Sequence, residues 1–249
     1  MINKSKYIQA VFLGKMDYLS SMNLQEKINS LVYSNKINQT ILFLEHDKVL
    51  TYGSKERISQ SEIEKLNHNS NDFLHVKTNR GGQVTLHSPG QLICYPIINL
   101  KDNFKGVLDY VGFLEKSIIR TLGYYKIQSH TVKQRRGIWV NGDSEEEYYE
   151  NKNPSGEKIA ALGLKIIRNI TLHGFSLNVN NDLSFFNSFI PCGMENLKVN
   201  SISNILNSSI SVKEVAKKVS ISMSEILKIP IPFKTDINNE MRALEQKFE

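Results

Sequence analysis

Apolar residues recur at helical spacing in several stretches of the chain. Leu24, Ile28, Leu31 and Val32 share one face and predict a first helix. Between residues 104 and 122, Val107, Tyr110, Val111, Leu114 and Ile118 line one side, and Gly123 stands where a helix stop is expected. Ser211 followed three positions later by Glu214 reads as a capping box, opening a helix through Val215, Val219, Met223 and Ile226. Ile237, Met241, Leu244 and Phe248 repeat the spacing and predict a final helix within 232–249.

Other stretches carry strand patterns. Thr40 to Glu45 is a short, nearly unbroken apolar run leading into His46, as expected of a strand buried on both faces. Residues 91–98, 137–141, 158–169 and 170–180 are also strand-like. Helices interspersed with strands predict an α/β (α+β) fold with helices covering a sheet. Residues 142–157 are polar, acidic and broken by glycine and proline, which predicts an exposed loop between two strands.

Composition narrows the picture. A chain of 249 residues with 40% apolar content can bury a sizeable core as one domain. Cys94 and Cys192 are too few for a disulfide framework and too far apart for a metal-ligand pair, which suits a reducing compartment. No apolar run reaches membrane-spanning length, the start has no secretory apolar region, and no arginine precedes Arg57. A cytoplasmic placement without membrane association is therefore expected. The net charge of +6 is spread along the chain, so nucleic acid is not an expected partner. The densest basic cluster, Lys133, Arg135 and Arg136, reads as a solvated loop or as a docking patch for an acidic protein.

Three segments carry candidate chemistry. In Arg80-Gly-Gly-Gln-Val-Thr-Leu-His-Ser-Pro-Gly-Gln91 the paired glycines allow close backbone approach, and extended alternation turns Thr85 and His87 to one side with Leu86 to the other. Lys158 opens the small and apolar run Ile-Ala-Ala-Leu-Gly163, where a desolvated lysine can act as a base. Cys192 sits between Pro191 and Gly193, a constrained turn that can present sulfur to a cleft and a backbone N–H to an oxyanion. Cys94, inside an apolar run, reads as a core residue. A thiol with an ordinary pKa near ~8.5 is mostly protonated, so a nucleophilic Cys192 needs a cation or base beside it. Lys158 and His173, the latter in Thr171-Leu-His-Gly-Phe-Ser-Leu-Asn178, both qualify, and spacing does not choose between them. His46 is expected to shape the pocket or cap a turn.

Taken together and in this order, Leu42-Phe-Leu-Glu-His46, Thr51-Tyr-Gly53, the Arg80 to Gln91 segment, Lys158 to Gly163, Thr171 to Val179 and Ile190-Pro-Cys-Gly-Met194 resemble the octanoyltransferase family, also called lipoate-protein ligase B. The resemblance spans the chain, from Leu13-Gly14 and Tyr18 onward. Where the family has an aromatic residue and a glycine, this chain has Leu86 and Ser88.

The resemblance implies a fold shared with lipoate- and biotin-protein ligases, a larger mixed sheet and a smaller one flanked by helices. It implies that Cys192 is the acyl-thioester nucleophile and that Lys158 lowers its pKa. Arg80, Gly81, Gly82, Gln83, Val84, Thr85, Leu86 and His87, then Ala161, Leu162 and Gly163, then Gly174, Phe175 and Ser176 become substrate-binding walls, with His173 a pocket neighbour. Octanoyl-acyl carrier protein is the implied donor, with the lipoyl-acyl carrier protein a second one. Lipoyl domains of 2-oxoacid dehydrogenases and the glycine-cleavage H protein are the implied acceptors. Acyl transfer of this kind needs neither metal nor cofactor. An ATP-dependent ligase on the same fold would have no use for a nucleophilic cysteine, so Cys192 argues against it.

Overall fold

The computed structural model describes residues 7–69, 73–142, 155–188 and 197–235. An eight-stranded sheet forms the body. Its strands are β1 (Gln9–Lys15), β2 (Thr40–Glu45), β6 (Gln91–Ile97), β7 (His130–Val132), β8 (Arg135–Val140), β9 (Glu157–Ile167), β10 (Ile170–Asn178) and β11 (Phe233–Lys234). They lie in the order β11-β1-β2-β6-β10-β9-β8-β7. The β11–β1 and β1–β2 pairs are parallel and the rest antiparallel, so the sheet is mixed.

The apolar run of β2 is explained by helices on both faces. Ile41 and Phe43 point into a core shared with α4 (Val107–Gly123) and α6 (Val212–Leu227). Leu42 and Leu44, one residue out of phase, point into a second core with α1 (Tyr18–Tyr33). The same alternation in β6 sends Leu92 and Cys94 to the α4/α6 side and Ile93, Tyr95 and Ile97 to the α1 side. Cys94 is fully buried, the core role expected of it, and burial pushes its thiol well up.

A smaller sheet stands beside the first, in the order β4-β3-β5, built from β3 (Val49–Tyr52), β4 (Leu74–Lys77) and β5 (Val84–His87). Leu50, Tyr52, Leu86 and Ile63 of α2 (Gln60–Asn69) form its core. The larger mixed sheet, the smaller sheet and the flanking helices match the expected fold.

Helix ends depart from expectation in one place. The stretch 104–122 forms one helix, α4, preceded by a short α3 (Leu100–Asn103), and Gly123 lies inside the last turn of α4. The cap is Tyr124 in right-handed conformation, and the left-handed residue that ends the excursion is Lys126 at φ 59°. Tyr125 and Ile127 both hydrogen-bond to Leu122 O, closing the turn without glycine's help. The capping box at α6 is present in part, Ser211 Oγ accepting from Glu214 N at 3.4 Å. Val140 pairs with Glu157, so the acidic segment does join two adjacent strands; its residues 143–154 lie outside the described set. The stretch 232–249 begins as strand β11, drawn into the sheet by pairing with Ala10 and Val11. The positions expected to be helical, Ile237 to Phe248, lie outside the described residues.

Candidate active site

The site lies where β5 of the small sheet meets β9 and β10 of the large one. The loop before β5 crosses between them. Gly81 N donates to Leu164 O of β9 at 2.9 Å, while Ser54 N and Lys55 N donate to Arg80 O and Gly82 O at 2.8 and 3.2 Å. Gly82 has φ 96°, a conformation that favours glycine. Arg80 is buried under the loop, and its guanidinium donates to Thr51 O (2.7 Å), Thr51 Oγ1 (2.8 and 3.2 Å), Gln83 O (2.7 Å) and Gly81 O (3.1 Å). Its fork therefore braces the loop that forms one cavity wall.

Across the β9–β10 pair, Ala161 stands opposite Ser176, Leu162 opposite Phe175 and Gly163 opposite Gly174. A cavity of about 340 Å³, within the usual range for a small-ligand site, opens between these elements. Of the expected wall residues, Arg80, Gly82, Gln83, Val84, Thr85 and His87 line it, as do Ala161, Leu162, Gly163, Gly174, Phe175 and Ser176. Lys158 and His173 line it too. Gly81 is tied to β9 instead, and Leu86, fully buried among Leu50, Tyr52 and Ile63, faces away as the alternation required. Cys192, with Pro191 and Gly193, lies outside the described residues.

Lys158 is buried on β9 at an irregularity in its pairing with β8. Its ammonium lies 5.6 Å from the centre of the Trp139 ring. Gly137, at φ 135°, leaves room for it, since a Cβ there would overlap Lys158 Cε. The segment that follows the undescribed stretch returns to this lysine: Lys158 N donates to Lys198 O at 2.9 Å and Asn200 N to Lys158 O at 3.0 Å.

His173 occupies β10 with φ 56°, a left-handed conformation rare for histidine within a strand. Its N–H turns out of the ladder to Gln25 Oε1 of α1 at 2.8 Å, and its Nε2 lies 3.0 Å from Asn79 Oδ1. His46 sits behind the cavity. Its Nδ1 donates to Met16 O at 2.7 Å, so its Nε2 accepts from the Tyr95 hydroxyl at 2.9 Å. Burial is the first cause that pushes all three imidazoles down, His46 and His173 to about 4 and His87 to about 3. Burial also raises Tyr18 to about 12. At neutral pH these groups and Tyr95, likewise raised by burial, carry no charge, and the remaining ionisable side chains on the cavity wall are basic: Lys55, Arg80, Arg135, Arg136 and Lys158.

Several of these residues escaped the reading of the sequence. Tyr95, Lys55 and Gln134 line the cavity without belonging to any chemical motif recognised there. Arg135 and Arg136, read as a loop or docking patch, flank the tight β7–β8 turn at Gln134 (φ 60°) and reach the rim. A signal did exist for Gln25. With Ser21 and Asn29 it forms a polar row at four-residue spacing on the buried face of α1.

Comparison with known proteins agrees with this architecture. Residues 17–224 match the model of the lipoyl protein ligase A/B catalytic domain. The chain is 34% identical over 211 residues to the octanoyltransferase of Desulforamulus reducens, covering 83% of this chain and 85% of that one. It is 36% identical over 215 residues to the mitochondrial octanoyl-acyl-carrier-protein:protein N-octanoyltransferase of Danio rerio, covering 85% and 88%. Among solved structures, a bipartite lipoate protein ligase from Thermoplasma acidophilum superposes with a TM-score of 0.67 over 97% of this chain and 92% of that one, at 13% identity.

Proposed function

Because this chain belongs to the lipoyl protein ligase A/B catalytic-domain family, we propose that it is an octanoyltransferase of lipoate biosynthesis, moving an octanoyl group from acyl carrier protein to a lysine of a lipoyl domain. The observation that carries this reading is the cavity shared by Lys158, the Arg80 loop, β5 and the β9–β10 pair. Its apolar part, Ala161, Leu162 and Phe175, suits a medium acyl chain. Burying eight carbons at ~0.8 kcal/mol per methylene contributes on the order of 5 kcal/mol.

In the first half-reaction Lys158 takes the Cys192 thiol proton and the thiolate attacks the octanoyl carbonyl. A carbon–sulfur bond to Cys192 forms, the bond to the carrier's sulfur breaks, and the carrier leaves as a thiol after regaining the proton. In the second, the neutral amine of the acceptor lysine attacks the same carbonyl. The amide bond forms, the thioester breaks, and the amine's proton returns to the Cys192 sulfur. Neither half-reaction oxidises anything or consumes a nucleotide. The acceptors include lipoyl domains of 2-oxoacid dehydrogenases and the glycine-cleavage H protein.

The test is intact-mass measurement after mixing the protein with octanoyl-acyl carrier protein and no ATP. A gain of one octanoyl group, removed by hydroxylamine and absent in Cys192→Ala, is the expected result. No adduct, or an adduct that appears only with ATP, overturns the proposal.

A further inference from the structure

We propose that Gln91 and Asn178 are positioning residues that lock the His87 proton on Nδ1, leaving a bare Nε2 to accept a hydrogen bond from the N–H of the incoming acceptor amine. This inference rests on the octanoyl-transfer reading. It concerns the second half-reaction only.

The argument starts from groups whose roles cannot be exchanged. A backbone carbonyl only accepts, and an amide side chain has one accepting and one donating end. Asn178 donates from Nδ2 to Asn200 O at 3.0 Å, which fixes the sense of its amide. Its Oδ1 is left to accept from Gln91 Nε2 at 2.9 Å and from Asn181 Nδ2 at 3.2 Å. Gln91 Nε2 also donates to a second carbonyl, Leu86 O, at 3.3 Å. Both carbonyls agree, so the only end of Gln91 available to His87 is Oε1, 2.8 Å from Nδ1. An amide oxygen takes a hydrogen bond and gives none. Nδ1 therefore carries the proton, and in a neutral imidazole Nε2 is then a lone pair.

The strand register builds this chain into the fold. Gln91 and Asn178 are direct partners across β6 and β10, and the turn Ser88–Gln91 brings His87 back over Gln91. Gln91, Asn178 and His87 are all buried, so water does not scramble the amides. His87 lines the cavity, and its Nε2 has no hydrogen-bond partner among the described residues. Burial, then the neighbouring His46 and Arg80, keeps the ring neutral. A ring so reluctant to hold a second proton orients an amine without capturing its proton, and leaves the lone pair of the amine nitrogen free for attack.

Long-range proton–nitrogen correlation on protein labelled with ¹⁵N-histidine reads the tautomer of wild type directly. The expected result is a His87 with protonated Nδ1 and unprotonated Nε2 at neutral pH. Single-turnover kinetics then separate loading of octanoyl from transfer of a preloaded octanoyl group to a lipoyl domain. Gln91→Met removes the acceptor for Nδ1–H and is expected to slow transfer about tenfold while changing loading little, the loss one oriented hydrogen bond represents. Asn178→Leu removes one of the two acceptors that hold Gln91 Nε2 and is expected to slow transfer by less than Gln91→Met, with loading little changed. Circular dichroism checks that each variant is folded, and the wild-type spectrum needs no variant. An Nε2–H tautomer in a wild type that loads and transfers octanoyl overturns this inference alone, as does equal slowing of both steps in folded Gln91→Met. A wild type that takes no octanoyl group overturns the transfer reading along with it.

Discussion

Gly163 and Gly174 face each other across the β9–β10 pair, yet they exclude a side chain for different reasons. A Cβ on Gly174 would overlap the carbonyl oxygen of Cys94 and crowd Pro96 on the neighbouring strand, and backbone in mid-sheet cannot step aside. A Cβ on Gly163 would meet Arg80 Cδ at 3.0 Å and Gly81 O at 3.2 Å, tight contacts at the edge of the cavity that a few tenths of an ångström relieve. Gly174→Ala is therefore expected to cost about 3 kcal/mol or more of stability, the upper end of overpacking, and Gly163→Ala about 1 kcal/mol. The functional order should be the reverse of what stability suggests. Gly163→Ala folds, but its methyl group narrows the space beside Leu162, so octanoyl loading slows in a protein that is otherwise sound. Urea unfolding together with single-turnover loading rates checks both halves, and equal stability losses would remove the distinction between the two glycines.

At the scale of elements, β10 departs from a regular strand at His173. A φ of 56° in a non-glycine residue costs roughly 1–2 kcal/mol, which here is held by the bond from His173 N to Gln25 of α1. Asparagine tolerates that conformation and valine does not. His173→Asn is thus expected to retain most of the melting temperature, and His173→Val to fall about 4–8 °C further, the shift that ~2 kcal/mol produces in a chain of this size. Differential scanning calorimetry of the pair decides it; a valine variant as stable as the asparagine one would show that the backbone relaxes freely.

The helices α1, α4 and α6 were legible in the sequence because their apolar residues repeat with the helical period, and the strands β2, β6, β9 and β10 because they read as short, apolar-rich extended runs. Strand β3 was not: four residues are too few to show a period, and its pairing with β4 and β5 is set by tertiary contact. The described part of α2 buries only Ile63, which leaves no stripe to read. Motifs marked the cavity walls, but the amide chain from Asn200 to His87 depends on the β6–β10 register, which joins residues 87 positions apart. Such a link has no local trace.

For the molecule as a whole, His46, His87 and His173 make folding itself a titration. Each is held neutral in the folded state, His46 and His173 with pKa values lowered to about 4 and His87 to about 3, against an ordinary value of 6.5. The unfolded chain therefore binds more protons wherever the pH lies between the two values, and stability falls as pH falls through that window. Above pH ~6.5 neither state is protonated at these sites, and the contribution is constant. Near pH 5 each ring costs up to 1.36 kcal/mol per pH unit, so the three together give a slope of about 4 kcal/mol per unit. Against a typical total stability of about 5–15 kcal/mol, cooperative unfolding follows between pH 5 and 4. Lowered carboxylates such as Asp17 and Asp182 act only below their ordinary value of 3.8 and do not account for a loss that begins near 6. Urea unfolding from pH 8 to 4.5 is expected to show a plateau above 7 and a steep decline below 6. His46→Gln, which offers a donor to Met16 and an acceptor to Tyr95 without a titrating ring, should reduce the slope by about a third. A wild-type profile that stays flat to pH 5 would mean that the rings take up protons in the folded protein as readily as in the unfolded chain.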